Sequence, residues 1–363
     1  MKKLKKQNII LISVYAVCIL ANIISRISQG FSEFYVSKIY PYIMSFFSRI
    51  AGVFPFSTGE IFIIIGVLLI VLCIPLFIIL MIFSKKRRCI CRIYALAAAW
   101  IGAYILTTET FNCFIMYQCK PFSDKYFSES VYTSDSLERV YRILAENSDR
   151  LAKKVSRDEN GSFKLMGDTY EEAKTAMKNL GKTYPQFKGY YPDPKPIRCS
   201  YFMSQQYLLG IYFPFTLEAN YNRDVCDINI PNTLCHELAH LKGCIQEDEA
   251  GFIAFIACIN SDSTELQYSG YLNALEYVHN EISKQGIQNE CQISELVWKD
   301  LYKFVPDGYW KENKSKEVVS TETVSAVSDA AMDTSLKMNG VDDGIKSYDR
   351  MVNLLIDYYC STN

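Results

Sequence analysis

The sequence has 363 residues, of which 50% are hydrophobic and 14% aromatic, with 38 basic and 39 acidic side chains. The balance of charge excludes a polybasic nucleic-acid binder, and the aromatic content excludes a disordered or collagen-like chain. The charge is unevenly distributed, since residues 1–110 contain 12 basic and 3 acidic side chains and residues 111–363 contain 26 and 36. The sequence therefore predicts a transmembrane region, residues 1–110, followed by a folded, mildly acidic domain, residues 111–363, with no nucleic-acid partner.

Three uncharged apolar segments within the first region predict transmembrane helices at about residues 9–24, 61–83 and 93–108, because a helix needs roughly 20 residues to cross the hydrocarbon. The connection between the second and third contains the basic residues Lys85 to Arg88 and Arg92. The positive-inside rule places that connection in the cytoplasm. We therefore expect a multi-pass protein of the cell membrane with an extracytoplasmic C-terminal domain. A cleaved signal peptide remains the alternative for the first segment.

The thirteen cysteines leave the disulfide pairing open. Nine of them follow residue 110, and none of the nine forms a C-x-x-C pair, which argues against a structural zinc knuckle. Disulfides are permitted outside the cell, but the spacing does not select partners.

The outer domain is predicted to be mainly α with a small β-sheet. Apolar residues recur at steps of three and four in the predicted helices, and two runs rich in Tyr, Phe and Ile predict strands. A Ser/Thr-rich stretch, residues 312–328, predicts a loop. The predicted helices cover about residues 137–156, 168–181, 263–284, 291–304 and 345–360, and the predicted strands cover residues 197–203 and 207–216.

The chemistry is concentrated in the motif H-E-x-x-H, formed by His236, Glu237 and His240. On a helix, histidines at i and i+4 share one face and can bind a single zinc ion, with the glutamate beside them. Asn232 is the expected N-cap of this helix and Gly243 its expected C-terminal stop. The alternative is a helix whose two histidines bind no metal. The chain has only three histidines in total.

A catalytic zinc ion needs a third protein ligand, and Glu247 is the first choice. If a helix begins near Gln246, Glu247 shares a face with small residues that allow close approach to the H-E-x-x-H helix. Glu249 is the second choice and His279 a more remote one. Asp248 is expected to be solvated.

The E-x-x-A element from Glu247 to Ala250 resembles that of gluzincins such as the prenyl-protein (CAAX-type) and anti-repressor-type proteases, although Gly251 stands where those families have Asp or Asn. Nearly the whole chain is similar to a bacterial family of membrane-anchored, zincin-like proteins known as a domain of unknown function. This resemblance implies an α+β zincin-like domain and a metallopeptidase, without a substrate. Its motifs are Pro55-Phe56-Ser57, Cys235 to His240, Glu247-x-Glu249-Ala250, Tyr268-Ser269-Gly270-Tyr271, Leu336-Lys337-x-Asn339-Gly340 and Ser347-Tyr348.

The expected reaction is zinc-dependent hydrolysis of a peptide bond in a protein or peptide substrate. Glu237 is predicted to accept a proton from the attacking water and to pass it to the leaving amine. Tyr268 is a candidate oxyanion donor, against the alternative of a core aromatic. Tyr212–Asn220 is the expected edge strand for substrate.

A non-catalytic membrane adaptor or sensor, and hydrolysis of a non-peptide amide, remain alternatives to a peptidase. The sequence does not specify the substrate or the oligomeric state.

Overall fold

The structure is a computed structural model that describes residues 2–287 and 291–360, except for the side chains of residues 2–5, 348 and 349. The side chains of Lys2, Lys3, Lys5 and Tyr348 therefore lie outside the described part. The chain is predominantly helical, with one small sheet, in agreement with the predicted class. It divides into two compact units, Met1–Cys119 with Phe213–Glu218, and Lys120–Tyr212 with Ala219–Asn363.

The first unit is built from long apolar helices. Three of the described helical segments are long and apolar enough to cross a membrane, Lys6–Ile27, Thr58–Phe83 and Arg87–Gln118, and they contain the three predicted segments. This supports association with a membrane. Its helices are α1 (Lys2–Ile27), α2 (Gln29–Phe34), α3 (Tyr40–Ala51), α4 (Thr58–Phe83) and α5 (Arg87–Glu109).

Polar contacts fix the helices of this unit at a few points. The Tyr15 hydroxyl of α1 donates to the Ala99 carbonyl of α5 at 2.9 Å. The Glu218 carboxylate accepts from the Thr58 and Gly59 amides at 3.1 and 2.7 Å, and a negative charge is favourable at the N-terminus of a helix. Along α4 the side chains from Ile61 onward are largely exposed, as expected for contact with lipid.

The second unit is a helical domain whose core is formed by α7, α8, α10, α11, α12 and α16. Helix α10 packs against α8, α11 and α12, so the centre of the unit surrounds the helix that carries the H-E-x-x-H motif. The helices are α6 (Phe122–Tyr126), α7 (Ser134–Ala152), α8 (Thr169–Thr183), α9 (Ser200–Gln205), α10 (Ile230–His240), α11 (Glu247–Ile259), α12 (Thr264–Gln285), α13 (Glu295–Asp300), α14 (Tyr309–Glu312), α15 (Thr321–Met338) and α16 (Met351–Cys360).

The sheet has three strands, β1 (Lys195–Ile197), β2 (Gly210–Phe213) and β3 (Glu218–Asn222), in the order β1-β3-β2. Strand β1 pairs with β3 in parallel, with Lys195 opposite Asn220. Strand β3 is central, so β2 lies at an edge. The expected edge strand Tyr212–Asn220 is therefore wrong in its extent, because that range contains the turn and most of the central strand.

Several sequence predictions of elements need correction. The aromatic run 197–203 is a strand only to Ile197 and then forms α9, and helix 291–304 is limited to α13. The Ser/Thr-rich range 312–328 is not a loop throughout, because α15 begins at Thr321. Its N-cap is Ser320, whose hydroxyl accepts from the Thr323 amide at 3.3 Å. Clustered hydroxyl residues marked a helix start there, since Ser is a preferred N-cap residue.

Candidate metal centre

Helix α10 carries the motif and begins earlier than the sequence suggested. Its first residue is Ile230, with Pro231 in the first turn, where the missing amide hydrogen costs nothing. Asn232 therefore lies inside the helix, and its prediction as N-cap was wrong. The helix ends at His240, and the chain then turns at Gly243, whose φ of 86° favours glycine.

Helix α11 begins at Glu247, directly after Gln246, as predicted. Its buried residues Ala250 and Ala254 are small, which permits close packing against α10. Glu247 thus occupies the first turn of one helix while His236 and His240 lie on successive turns of the other.

The side chains of His236, His240 and Glu247, here called the metal triad, converge. His236 Nε2 lies 3.0 Å and His240 Nε2 3.5 Å from Glu247 Oε2. The two imidazole rings are perpendicular, with centroids 4.6 Å apart. One ligand atom from each residue lies within 4.8 Å of the others. The structure therefore brings together the three residues that the sequence analysis selected as ligands.

The backbone fixes the orientation of His240. Its Nδ1 lies 2.7 Å from the Cys244 carbonyl oxygen, which accepts a hydrogen bond. A neutral imidazole that donates from Nδ1 keeps the lone pair on Nε2, the atom that faces Glu247. Such a bond to a carbonyl is the usual support of a metal-binding histidine.

Charge interactions within the triad change its proton affinities in the metal-free protein. Burial lowers the pKa of His240, but the charge and hydrogen bond of Glu247 outweigh it and raise this pKa to about 9. Burial also raises the pKa of Glu247, and both histidines more than reverse this, so the net shift is downward. The pKa of His236 is lowered, mainly by burial. Binding of a metal must therefore displace a proton from the triad.

Glu237 is the fourth polar residue of the site and is only 4% exposed. Its Oε2 has no hydrogen-bond partner among the described residues. Burial raises the pKa of this carboxyl to about 8. A buried oxygen without a donor is costly, so this carboxyl group is suited to a ligand or a water molecule that supplies the missing bond.

Gly210 of β2 makes room for Glu237. A Cβ atom at position 210 would overlap the carboxyl group of Glu237. Beside it, the ring of Tyr212 lies 6.1 Å from that of His240. Gly210 was not selected from the sequence as part of the site, because a glycine at a strand start has no local pattern that reveals a distant carboxylate. Tyr212 was predicted only as the first residue of the substrate-binding edge strand.

The residues present fit a zinc ion. Two ligands of a tetrahedral zinc at about 2.1 Å are roughly 3.4 Å apart, and the triad has separations of 3.0 and 3.5 Å about Glu247 Oε2. The side chains of His236 and Glu247 are 19% and 22% exposed, so the triad can be reached from solvent. Two imidazoles and one carboxylate leave a coordination position for water, whereas structural zinc sites are closed by four protein ligands.

The other acidic residues of α11 have different partners. Glu249 is buried and accepts hydrogen bonds from the amide and the hydroxyl of Ser123, so it is not part of the triad. Asp248 is only 6% exposed, and the prediction that it is solvated was wrong. Its carboxylate accepts from the Glu249 amide and lies 3.7 Å from Arg350 Nη1, a pairing distant in sequence.

Tyr268 and His279 lie in separate surroundings. The buried Tyr268 hydroxyl donates to Asp300 Oδ2 at 2.6 Å, and Asp300 also accepts from Arg157. His279 Nδ1 is 3.3 Å from the Tyr141 hydroxyl. Among the described contacts, neither residue is joined to the triad, and the oxyanion role of Tyr268 stays a prediction without structural support.

The chain matches the family described as "Protein of unknown function (DUF3810)" over residues 35–356. This range covers most of the sequence, so the chain belongs to that family. No curated protein and no solved structure matches it.

Proposed function

We propose that this protein is a membrane-anchored zinc peptidase with a zincin-like domain, in which His236, His240 and Glu247 hold the metal and Glu237 transfers protons. The observation that carries the proposal is the convergence of the triad beside a buried carboxyl group whose Oε2 lacks a donor. A structural metal site has no use for Glu237, which favours a hydrolase over a non-catalytic adaptor or sensor.

The proposed roles follow from the surroundings of each residue. When bound, zinc would supply a Lewis acid that polarises the substrate carbonyl and acidifies water. Glu237 would accept a proton from the attacking water and deliver it to the leaving nitrogen, since it is the buried carboxyl group of the motif and its Oε2 has no hydrogen-bond partner among the described residues. The Cys244 carbonyl holds His240 in the orientation that presents Nε2.

The substrate would bind along β2. This strand lies at an edge of the sheet, and an extended peptide can add to such an edge through backbone hydrogen bonds. Gly210 lies against Glu237, so a peptide paired with the start of β2 would pass near the proton-transferring group. Tyr212, whose ring lies beside that of His240, is a candidate contact for the substrate.

The proposed topology places the catalytic domain outside the cell. Three crossings with the basic residues Lys85 to Arg88 on the cytoplasmic side leave the second unit extracytoplasmic. We expect a reporter inserted near Lys86 to be active as a cytoplasmic reporter and one fused after residue 363 as an extracytoplasmic one. A cytoplasmic C-terminus would overturn the topology and leave the peptidase proposal in place.

The decisive test measures the metal content of the purified full-length protein and its cleavage of a peptide library, in the unmodified protein and in Glu237→Gln. We expect one zinc per chain in both, and a cleavage rate about 10²–10⁴-fold lower in the variant. Bound zinc without cleavage of any peptide would favour an adaptor or a non-peptide amide substrate. Loss of zinc in Glu237→Gln would contradict the division between ligands and proton carrier.

A further inference from the structure

A cavity in the same unit, here called the basic pocket, has a volume of about 530 Å³. It is formed by α9, the residue Arg223 after β3, and the segment that leads into α15. Three cationic side chains line it, those of Arg198, Arg223 and Lys316, together with valine side chains such as Val319. The volume lies within the range of small-molecule sites, roughly 300–1,000 Å³.

The charge of the basic pocket is of one sign. None of its described lining residues is acidic. Arg223 lies 3.7 Å from Asp224, a weak contact at an exposed position. An anion bound among three cationic side chains would be attracted by each of them.

Tyr201 provides an independent indication of a ligand. It lines the basic pocket and is only 7% exposed, yet its hydroxyl has no hydrogen-bond partner among the described residues. Its ring is held by Tyr309 and Trp310, with centroids 6.1 and 6.0 Å away. A buried hydroxyl without a partner costs free energy, so an acceptor supplied by a ligand would remove that cost.

The segment that leads into α15 is fixed in place at the basic pocket. The buried Gln205 side chain donates from Nε2 to the Val319 carbonyl at 2.8 Å and lies 3.3 Å from the Thr321 hydroxyl. These bonds hold the segment before α15 against α9, with Val319 and Val324 lining the cavity. The cavity therefore combines cationic and apolar side chains, and the hydrogen bonds of Gln205 hold its valine-containing segment in place without a ligand.

We propose that the basic pocket binds a small amphiphilic anion, a carboxylate or phosphate group carried on a short apolar chain. The anionic group lies among Arg198, Arg223 and Lys316 and accepts a hydrogen bond from the Tyr201 hydroxyl. The apolar chain lies along the valine side chains. None of these residues belongs to the metal triad, so this inference does not depend on the proposed peptidase activity.

Calorimetric titration of the full-length protein in nanodiscs of uncharged lipid tests the proposal. Hexyl phosphate and hexanoate are the amphiphilic probes, inorganic phosphate tests the anionic group alone, and hexanol tests the apolar chain alone. We expect hexyl phosphate or hexanoate to bind more tightly than either single-feature probe, with an affinity that falls as salt is added. Tightest binding by inorganic phosphate, or binding of hexanol alone, would overturn the amphiphilic assignment.

Two variants locate the binding site. Tyr201→Phe keeps the ring and removes only the hydroxyl, and Lys316→Ala removes one exposed cation. Each is expected to raise the Kd of the amphiphilic probe about tenfold, because hydrogen bonds to charged groups contribute about 1.5 kcal/mol. The matched control is Lys337→Ala, whose ammonium group pairs with Asp333 at 2.7 Å and does not line the pocket; the Kd of the probe should be unchanged in this variant. Unchanged affinity in both test variants would overturn the proposal.

Discussion

The second unit contains buried carboxylates in two regions whose partners differ in kind. In the structural cluster, formed by Arg157, Tyr268 and Asp300, both Asp300 oxygens accept hydrogen bonds, from Arg157 at 3.1 and 2.8 Å and from Tyr268 at 2.6 Å. In the candidate metal centre, Glu237 Oε2 has no partner among the described residues and Glu247 Oε2 faces two imidazole nitrogens.

The difference distinguishes a buried carboxylate whose oxygens receive hydrogen bonds within the fold from one whose oxygen is left without a donor. Burial of a carboxylate costs free energy unless donors replace its water. Where the carboxylate oxygens receive hydrogen bonds, as at Asp300, those bonds offset the free-energy cost of burial. A cluster that leaves an oxygen without a donor and directs two imidazole nitrogens at one carboxylate is incomplete by itself, and a bound ligand would complete it.

The largest effect is expected from the histidines. Loss of either ligand in His236→Ala or His240→Ala should lower zinc affinity by well over the 10–100-fold seen when only an outer partner of a ligand is removed. The control is His279→Ala, since that ring packs beside Trp298 at 5.1 Å and is outside the triad. Titration with a competing chelator measures the affinities. Zinc that remains bound in both test variants would exclude the triad as the metal site.

The next comparison separates two glutamates on one helical turn. Glu247→Ala should weaken zinc binding about as much as loss of a histidine. Glu249→Ala should leave zinc bound and lower the free energy of unfolding by about 1–3 kcal/mol, because the amide and hydroxyl of Ser123 lose their acceptor. Parallel metal titration and thermal unfolding of both variants make the distinction. The reverse pattern would mean that Glu249 is the ligand.

A smaller effect on the metal, but a clear one on turnover, is expected at Gly210. In Gly210→Ala the new methyl group would displace the Glu237 carboxyl group, and a displacement of about 1 Å can cost roughly 100-fold in rate. Zinc should remain bound, since the triad is not touched. Gly251→Ala is the matched control, because a Cβ there meets only Met351 Sδ at 3.8 Å. Equal turnover in the two variants would show that Gly210 does not position Glu237.

The sequence predicted those parts of the site that depend on local spacing. The i, i+4 repeat placed His236 and His240 on one face, and the helix start near Gln246 placed Glu247 towards them. The partners of Glu249 and Asp248 could not be predicted, because Ser123 lies 126 residues before Glu249 and Arg350 lies far beyond Asp248 towards the C-terminus. The role of Gly210 could not be predicted from the sequence either, since it arises from the Glu237 side chain that packs against it.

The same limit applies to the fold. Helices α7, α8 and α12 followed from apolar periodicity and from caps such as Asp168, whose carboxylate accepts from the Glu171 amide at 3.2 Å. Strand extents did not follow, because the aromatic residues that suggested a strand over 197–203 pack equally well on α9. Tyr201 is an example, with its ring against Tyr309. Tertiary packing, which the sequence alone does not contain, decided between the two.

The smallest effect on turnover is expected at Tyr268. This residue belongs to the structural cluster, so its substitution tests whether that cluster contributes only to stability. Tyr268→Phe removes the hydroxyl that donates to Asp300 and leaves the ring in the core, so we expect a loss of about 1–2 kcal/mol in stability with kcat and zinc content nearly unchanged. Thermal unfolding and peptide cleavage are measured on the same preparation. If kcat fell strongly while stability stayed the same, the oxyanion role predicted from the sequence would be supported, and the paired oxygens of Asp300 would no longer mark a purely structural cluster.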